Sequence, residues 1–134
     1  MVSLTGRYAL RILGYLAEKP ETWVQGSQIA ADTGIPANYL SKIMNQLRKK
    51  GYVESQRGWG GGFLLTKKAL KIRIHDVLTH LEGPRDDTTC IFGLRDCDEN
   101  DPCPLHDRWE AIRTGYMDML RQVTIGDLRF SQEI

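Results

Sequence analysis

The sequence predicts a mostly α-helical fold with one small β-hairpin and a long C-terminal helix, and three observations point there. Apolar residues recur at helical spacing over 5–18, 36–50, 74–81 and 105–123. Two short strand-like runs, 52–56 and 63–66, flank the glycine-rich RGWGGG at 57–62. Between the last two helical stretches lies a run rich in Asp, Asn, Gly and Pro that holds every cysteine of the chain: Cys90, Cys97 and Cys103. The 134 residues, 41% hydrophobic and 26% charged, suit one soluble core.

Helix one is expected over 5–18, where Tyr8, Ile12 and Leu16 share a face with Ala9 and Leu13 alongside, and Lys19-Pro20 supplies a stop. Ser27 reads as the N-cap of a short helix over Gln28 to Thr33, which Gly34 is placed to end in the left-handed conformation. After a tight turn, Pro36 suits the first turn of a third helix, because its missing N–H costs nothing there, and Gly51 closes that helix after Lys50. Leu40, Ile43, Met44 and Leu47 form its core stripe; Asn38, Ser41, Lys42, Asn45 and Lys49 share the opposite side. A helix-turn-helix puts such a polar face into the DNA major groove, although a solvated face on any helical domain reads the same way.

The next segment tips the balance. A hairpin directly after a helix-turn-helix makes a winged helix, the fold class predicted here. Gly58, Gly60 and Gly61 let backbone approach a phosphate ridge, while Arg57 reaches a narrow, electronegative minor groove. The net charge of +1 hides a division that agrees: residues 1–75 carry twelve Lys and Arg against four Asp and Glu, and residues 76–134 carry six against thirteen. The front half suits a polyanion and the back half repels one.

GRYAL at 6–10, IPANYLSKIMNQLRKKGYV at 35–53 and RGWGGGFLL at 57–65 resemble the IscR/NsrR-type winged-helix transcriptional regulators of bacteria, which sense through iron-sulfur clusters. The similarity spans nearly the whole chain, and its most specific parts are the glycine-rich wing and the three-cysteine loop. Trp59 departs from the smaller residues or proline often found at that place in the family. It either stacks on sugar and phosphate or packs over the wing.

Past the wing, Ile74, Val77, Leu78 and Leu81 read as a core helix ended by Gly83-Pro84, with His75 and His80 on its polar side. Leu105, Trp109, Ile112, Tyr116, Met119 and Val123 then repeat at four, three, four, three, four, a heptad seam. It runs about 28 Å at 1.5 Å per residue, long for one small core, and suits a partner helix. The resemblance implies that this helix makes a homodimer, as a two-fold reader of double-stranded, pseudo-palindromic DNA requires. A short helix is expected from Ile125 to Phe130. The expected division is a DNA-binding domain over 1–83, a cysteine loop over 84–104, and a dimerisation helix with tail over 105–134.

Three chemistries compete for the cysteine loop. The thiols are separated by six and then five residues, and His106 follows the last by three. An odd count in a reducing compartment favours ligands or sensors over disulfides. Zinc could use the same set, but only Cys103-x-x-His106 has the usual pair spacing. A bare thiol switch needs an activated thiolate, which Asp96, Asp98, Glu99, Asp101 and Asp107 are expected to oppose. An iron-sulfur cluster on three thiolates with a fourth ligand of another kind is the third option. The resemblance implies a 2Fe-2S species with His106 as that ligand. In NsrR-like relatives a carboxylate of the partner's first helix serves instead, but Arg7-Tyr8 stands at the corresponding place here.

The expected protein is therefore a cluster-controlled DNA-binding regulator and not an enzyme. The alternative is a zinc-stabilised or cluster-free winged-helix module. A hydrolase built on Cys103 and His106 lacks an evident orienting group or oxyanion hole. The start MVSLTGRYAL has no basic region followed by a long apolar run, so the expected location is the cytoplasm.

Overall fold

A computed structural model describes residues 2–84, 88–93 and 95–129. Helix α1 (Leu4–Ala17) starts at a cap not anticipated from the sequence: the Gly6 N–H donates to the Ser3 hydroxyl at 3.0 Å. Helix α2 spans Gly26–Thr33, two residues longer at its start than expected. Its N-cap position is Gln25, so Ser27 is not the cap and lies exposed in the first turn. The reason is tertiary: Val24 pairs with Phe63 in both directions, at 2.9 and 2.8 Å, which holds the chain extended up to Gln25 and lets the helix begin at once. Gly34 ends α2 in the left-handed region, at φ 72°.

Pro36 occupies the N-cap of α3 (Ala37–Lys49), one residue before the expected first turn, with ψ extended at 138° and its carbonyl accepting from the Leu40 N–H. The α3 exit is a Schellman motif. Gly51, at φ 78°, donates to the Arg48 carbonyl and Tyr52 donates to the Leu47 carbonyl, both at 3.0 Å. Strands β1 (Val53–Gln56) and β2 (Gly62–Leu65) pair antiparallel, with Val53 opposite Leu65 and Gln56 opposite Gly62. Tyr52 and Thr66, expected within the strands, instead close the hairpin base through the Thr66 N–H on the Tyr52 carbonyl.

A 3-10 turn (Lys68–Lys71) leads into α4 (Ile74–Glu82), which ends at Gly83 as expected. Helix α5 runs His106–Gln122. The expected last helix is a 3-10 turn over Ile125–Leu128, opened by a Thr124/Asp127 capping box; Phe130 lies outside the described residues.

The main core joins Ile12, Leu13 and Leu16 of α1, Ile29 of α2, the α3 stripe of Leu40, Ile43, Met44 and Leu47, and the hairpin's Val53 and Leu65. Ile125 returns to this core from the far end of the chain. A second cluster packs Ile74 and Leu78 of α4 on Met117 and Leu120 of α5. The stripe that α5 buries thus coincides with its heptad seam only in part, through Tyr116 and Val123, which pack against this cluster. Leu105, Ile112 and Met119 of the seam are 40%, 57% and 51% exposed, while Trp109, Tyr116 and Val123 are half-buried. Among the described residues no helix is long and apolar enough to cross a membrane.

Candidate functional site

Because Leu40, Ile43, Met44 and Leu47 face inward, helical geometry turns Ala37, Asn38, Ser41, Lys42, Asn45 and Lys49 outward, and all six are exposed. Pro36 and Ser27 are exposed beside them. Tyr39 is partly anchored: its ring meets Tyr8 edge-on at 6.0 Å, and the Arg11 guanidinium lies 5.8 Å from the Tyr8 ring. Two features were missed in the sequence. Asn45 offers less than a free amide, since its Oδ1 accepts from Arg48 Nη2 at 2.9 Å. Arg48 itself joins Ser41 and Asn45 in lining a groove whose other wall is Ser55, Gln56, Arg57 and Gly58 of the hairpin. The helix face and the wing therefore open onto one concavity. Among the described residues Lys42, Lys49 and Arg57 have no acidic partner, which leaves their charge for an external anion.

The wing tip is a tight turn closed by the Gly61 N–H on the Gly58 carbonyl at 3.1 Å, with Gly60 at φ 78° in the position where a type II turn demands glycine. Gln25 Nε2 ties this turn to the body through the Gly61 carbonyl at 3.1 Å and the Gly58 carbonyl at 3.4 Å. A side chain at Gly62 would strike the Val24 carbonyl, so that glycine serves the strand pairing.

The cysteine segment folds as a small hairpin of its own. Thr89 bridges Asp96, the Cys90 N–H donates to the Arg95 carbonyl at 2.9 Å, and the Cys97 N–H to the Thr88 carbonyl at 2.8 Å. Cys90 and Cys103 bring their sulfurs to 3.5 Å. That is near the edge of a tetrahedron with 2.3 Å metal–sulfur bonds, about 3.8 Å. Helix α5 grips the same loop. Trp109 Nε1 donates to the Thr89 carbonyl at 2.9 Å, while Arg113 Nη1 reaches Cys97 Sγ at 3.0 Å and the Thr89 carbonyl at 3.4 Å.

The expectation that acidic neighbours raise the thiol pKa fails for Cys90. The Phe92 backbone N–H, with help from Cys103 and Arg95, holds that thiol below its ordinary value despite burial. Cys103 is pushed up, by burial first and then by the neighbouring thiols, not by carboxylates.

His106 is only 6% exposed, at the start of α5, with its N–H on the Cys103 carbonyl at 3.1 Å and its Nε2 3.4 Å from Glu110. It sits at the foot of the loop but does not complete a four-donor cluster with the thiols. Among the described residues the group of three ligand atoms lying within 4.8 Å of one another is that of His106, Asp107 and Glu110. A two-iron centre divides its ligands between two metals, so it requires close pairs and not one tight quartet. Glu110 and Arg113, four and seven residues past His106, were legible as helix neighbours once α5 was known to start at His106.

Residues 2–129 match the pattern of the Rrf2 family, described as iron-dependent transcriptional regulators. The chain belongs to the Rrf2 family. The transcriptional regulator IscR of Klebsiella pneumoniae is 35% identical over 130 residues, covering 96% of this chain and 79% of that protein. Among solved structures of similar Rrf2-like fold, CymR, the global cysteine regulator of B. subtilis, superposes at TM-score 0.76 with 28% identity, covering 99% of this chain and 98% of that one. IscR of T. potens does so at 0.70, also with 28% identity, covering 96% and 85%. The chain is thus an IscR-like transcriptional regulator of the Rrf2 family with a winged-helix fold, and its family implies DNA binding.

Proposed function

We propose that this chain is a homodimeric regulator whose hold on a pseudo-palindromic duplex operator is set by an iron-sulfur centre, 2Fe-2S, on Cys90, Cys97, Cys103 and His106. The observation that carries the DNA reading is the shared groove between α3 and the wing, walled by Ser41, Asn45, Arg48 and Arg57 on the basic half of the molecule. In that reading Pro36, Ala37, Asn38, Tyr39, Ser41, Lys42 and Asn45 lie in or beside the major groove, where amide and cationic side chains read base edges. Arg57 enters the minor groove, while Ser27, Lys49, Gly58, Gly60 and Gly61 meet the backbone.

The seam supports a two-fold partner: Leu105, Ile112 and Met119 recur every seven residues, exposed, on a helix already packed by its other face. The donor set fits a two-iron cluster, with Cys90 and Cys103 close enough to share one metal. When bound, such a centre supplies a redox-active and oxidant-sensitive group. What the protein contributes is the linkage: Trp109 and Arg113 tie the loop to the helix that carries the seam. A loop released from α5 alters the spacing of the two recognition helices.

The test is anaerobic iron and acid-labile sulfide analysis, followed by titration of holo and apo protein against an operator selected from random duplexes. Equal affinity and equal sequence preference reject cluster control. A second reading, a Cys90–Cys103 thiol switch, is favoured by the contact of those sulfurs and the lowered Cys90 thiol. Under it, Cys97→Ser and His106→Ala leave regulation intact; under cluster control both abolish it.

A further inference from the structure

We infer that Trp59 is a DNA-contacting residue, an apolar contact at the wall of the minor groove that adds affinity without adding charge; this rests on the DNA-binding reading above. Its indole is wholly exposed, which excludes packing over the wing. Trp23 and Trp109, the other two tryptophans, are half-buried, and Trp109 has a hydrogen-bond partner.

A large apolar side chain bare on a loose loop would mean little. This one is held outward by a built turn. Trp59 follows Gly58 in the turn closed by the Gly61 N–H, and the amide of Gln25 fixes two carbonyls of that turn from a separate element. Gly61 cannot carry a Cβ without meeting the Gln56 carbonyl, so the tip has little room to fold back. The backbone that carries the ring is already held, so contact has only the side chain's own rotamers to fix, which lowers the entropic cost of binding.

The surroundings select the partner. A protein-docking tryptophan sits in a patch of other apolar side chains. Among the described residues the other large exposed apolar ones are Leu4, Tyr39, Ile91, Phe92, Leu105, Ile112 and Met119, none of them in the wing. Trp59 instead has Arg57, Gly58 and Gly60 as its neighbours in sequence, on the loop that walls the groove shared with α3. A cation next to an isolated ring on a glycine turn matches a polyanion with apolar sugar and base edges. A ring contact of this kind neutralises no phosphate and so is invisible to salt.

That separation gives the experiment. Wild type, Trp59→Ala, Trp59→Phe and Arg57→Ala are titrated with a random-sequence DNA duplex over a potassium chloride series. Trp59→Ala is expected to bind about tenfold more weakly at every salt concentration with an unchanged salt slope, and Trp59→Phe to retain most of the affinity. Arg57→Ala is expected to reduce the slope by about one. The melting temperature of Trp59→Ala should equal that of wild type.

Superimposable titrations of Trp59→Ala and wild type overturn the inference. So does a changed slope in Trp59→Ala, which would make the ring a prop for Arg57, or altered self-association with unaltered DNA binding. Wild type that fails to bind any duplex overturns the DNA-binding reading itself, a distinct result.

Discussion

The two faces of α5 should be separable by single substitutions, and Ile112→Ala tests the outer one. Ile112 is 57% exposed on the protomer. Full burial of an isoleucine is worth about 1.5–3 kcal/mol, so covering the exposed part and then losing most of the side chain amounts to about 1 kcal/mol. A two-fold interface contains the residue twice, giving about 2 kcal/mol per dimer, or about a 30-fold rise in the dimer dissociation constant. Sedimentation equilibrium over a dilution series reads this directly. The control is Leu120→Ala on the inner face, where Leu120 is buried against Ile74, Leu78 and Met117. It should cost about 2–5 kcal/mol of folding stability in chemical denaturation. An unchanged dissociation constant for Ile112→Ala, or a wild-type chain monomeric at working concentrations, would refute the assignment of the outer face.

Arg57→Ala should weaken specific DNA binding by about 1–3 kcal/mol in anisotropy titrations at fixed salt; an unaltered curve counts against the wing. Under cluster control, Arg113→Gln, which removes the guanidinium 3.0 Å from Cys97 Sγ, should lower retention of the centre about 10- to 100-fold against a chelator and shift its reduction potential to more negative values. Arg113→Lys should restore the potential in part, because a nearby cation favours the more negative reduced state. The Asp127 carboxylate is held below its ordinary value of 3.8, first by the Thr124 backbone N–H and then by its hydroxyl. A depressed folded-state pKa gives stability that is present above the ordinary value and lost as pH falls through the folded one. Thermal melts of wild type and Asp127→Asn should therefore differ near neutrality and converge in acid.

How much of this was readable in the residues depends on the range of the interaction that decides it. The α3 stripe, its polar face and the Gly34 and Gly51 stops were legible because periodicity and left-handed glycine are local effects. Ser27 was misread because the start of α2 is set by Val24 on Phe63, a pairing across the fold that no local cap signal reports. The heptad seam was visible, but not that α5 would bury Met117 and Leu120 beside it, since that choice belongs to Ile74 and Leu78 on another helix. At the site, sulfur and histidine donors were conspicuous by type. Arg48, Arg113 and Glu110 were not, because an ordinary cation or carboxylate on a helix becomes informative only when the facing group is known. Gln25 is the extreme case: an unremarkable amide in the sequence, it holds the wing tip from outside the wing.

Helix α5 carries three commitments on one rigid element, and their spacing has a thermodynamic consequence. Met117 and Leu120 fix it to Ile74 and Leu78 of α4, Ile112 and Met119 point outward along the seam, and Trp109 and Arg113 hold Thr89 and Cys97 of the loop. Trp109 and Arg113 are one turn apart and bracket Ile112, so a shift that loosens the loop cannot leave the seam beside it unmoved. If occupancy of the loop changes operator affinity by some factor, linkage requires the operator to change retention of the centre by the same factor. Holo protein challenged with an iron chelator, with and without its selected operator, measures the second quantity; direct titration of holo and apo protein measures the first. Matching factors show that occupancy itself carries the coupling, and an equal loss of both factors in Arg113→Gln would assign it to α5. An operator that leaves retention untouched while holo and apo affinities differ would mean that the two preparations differ in something other than the centre.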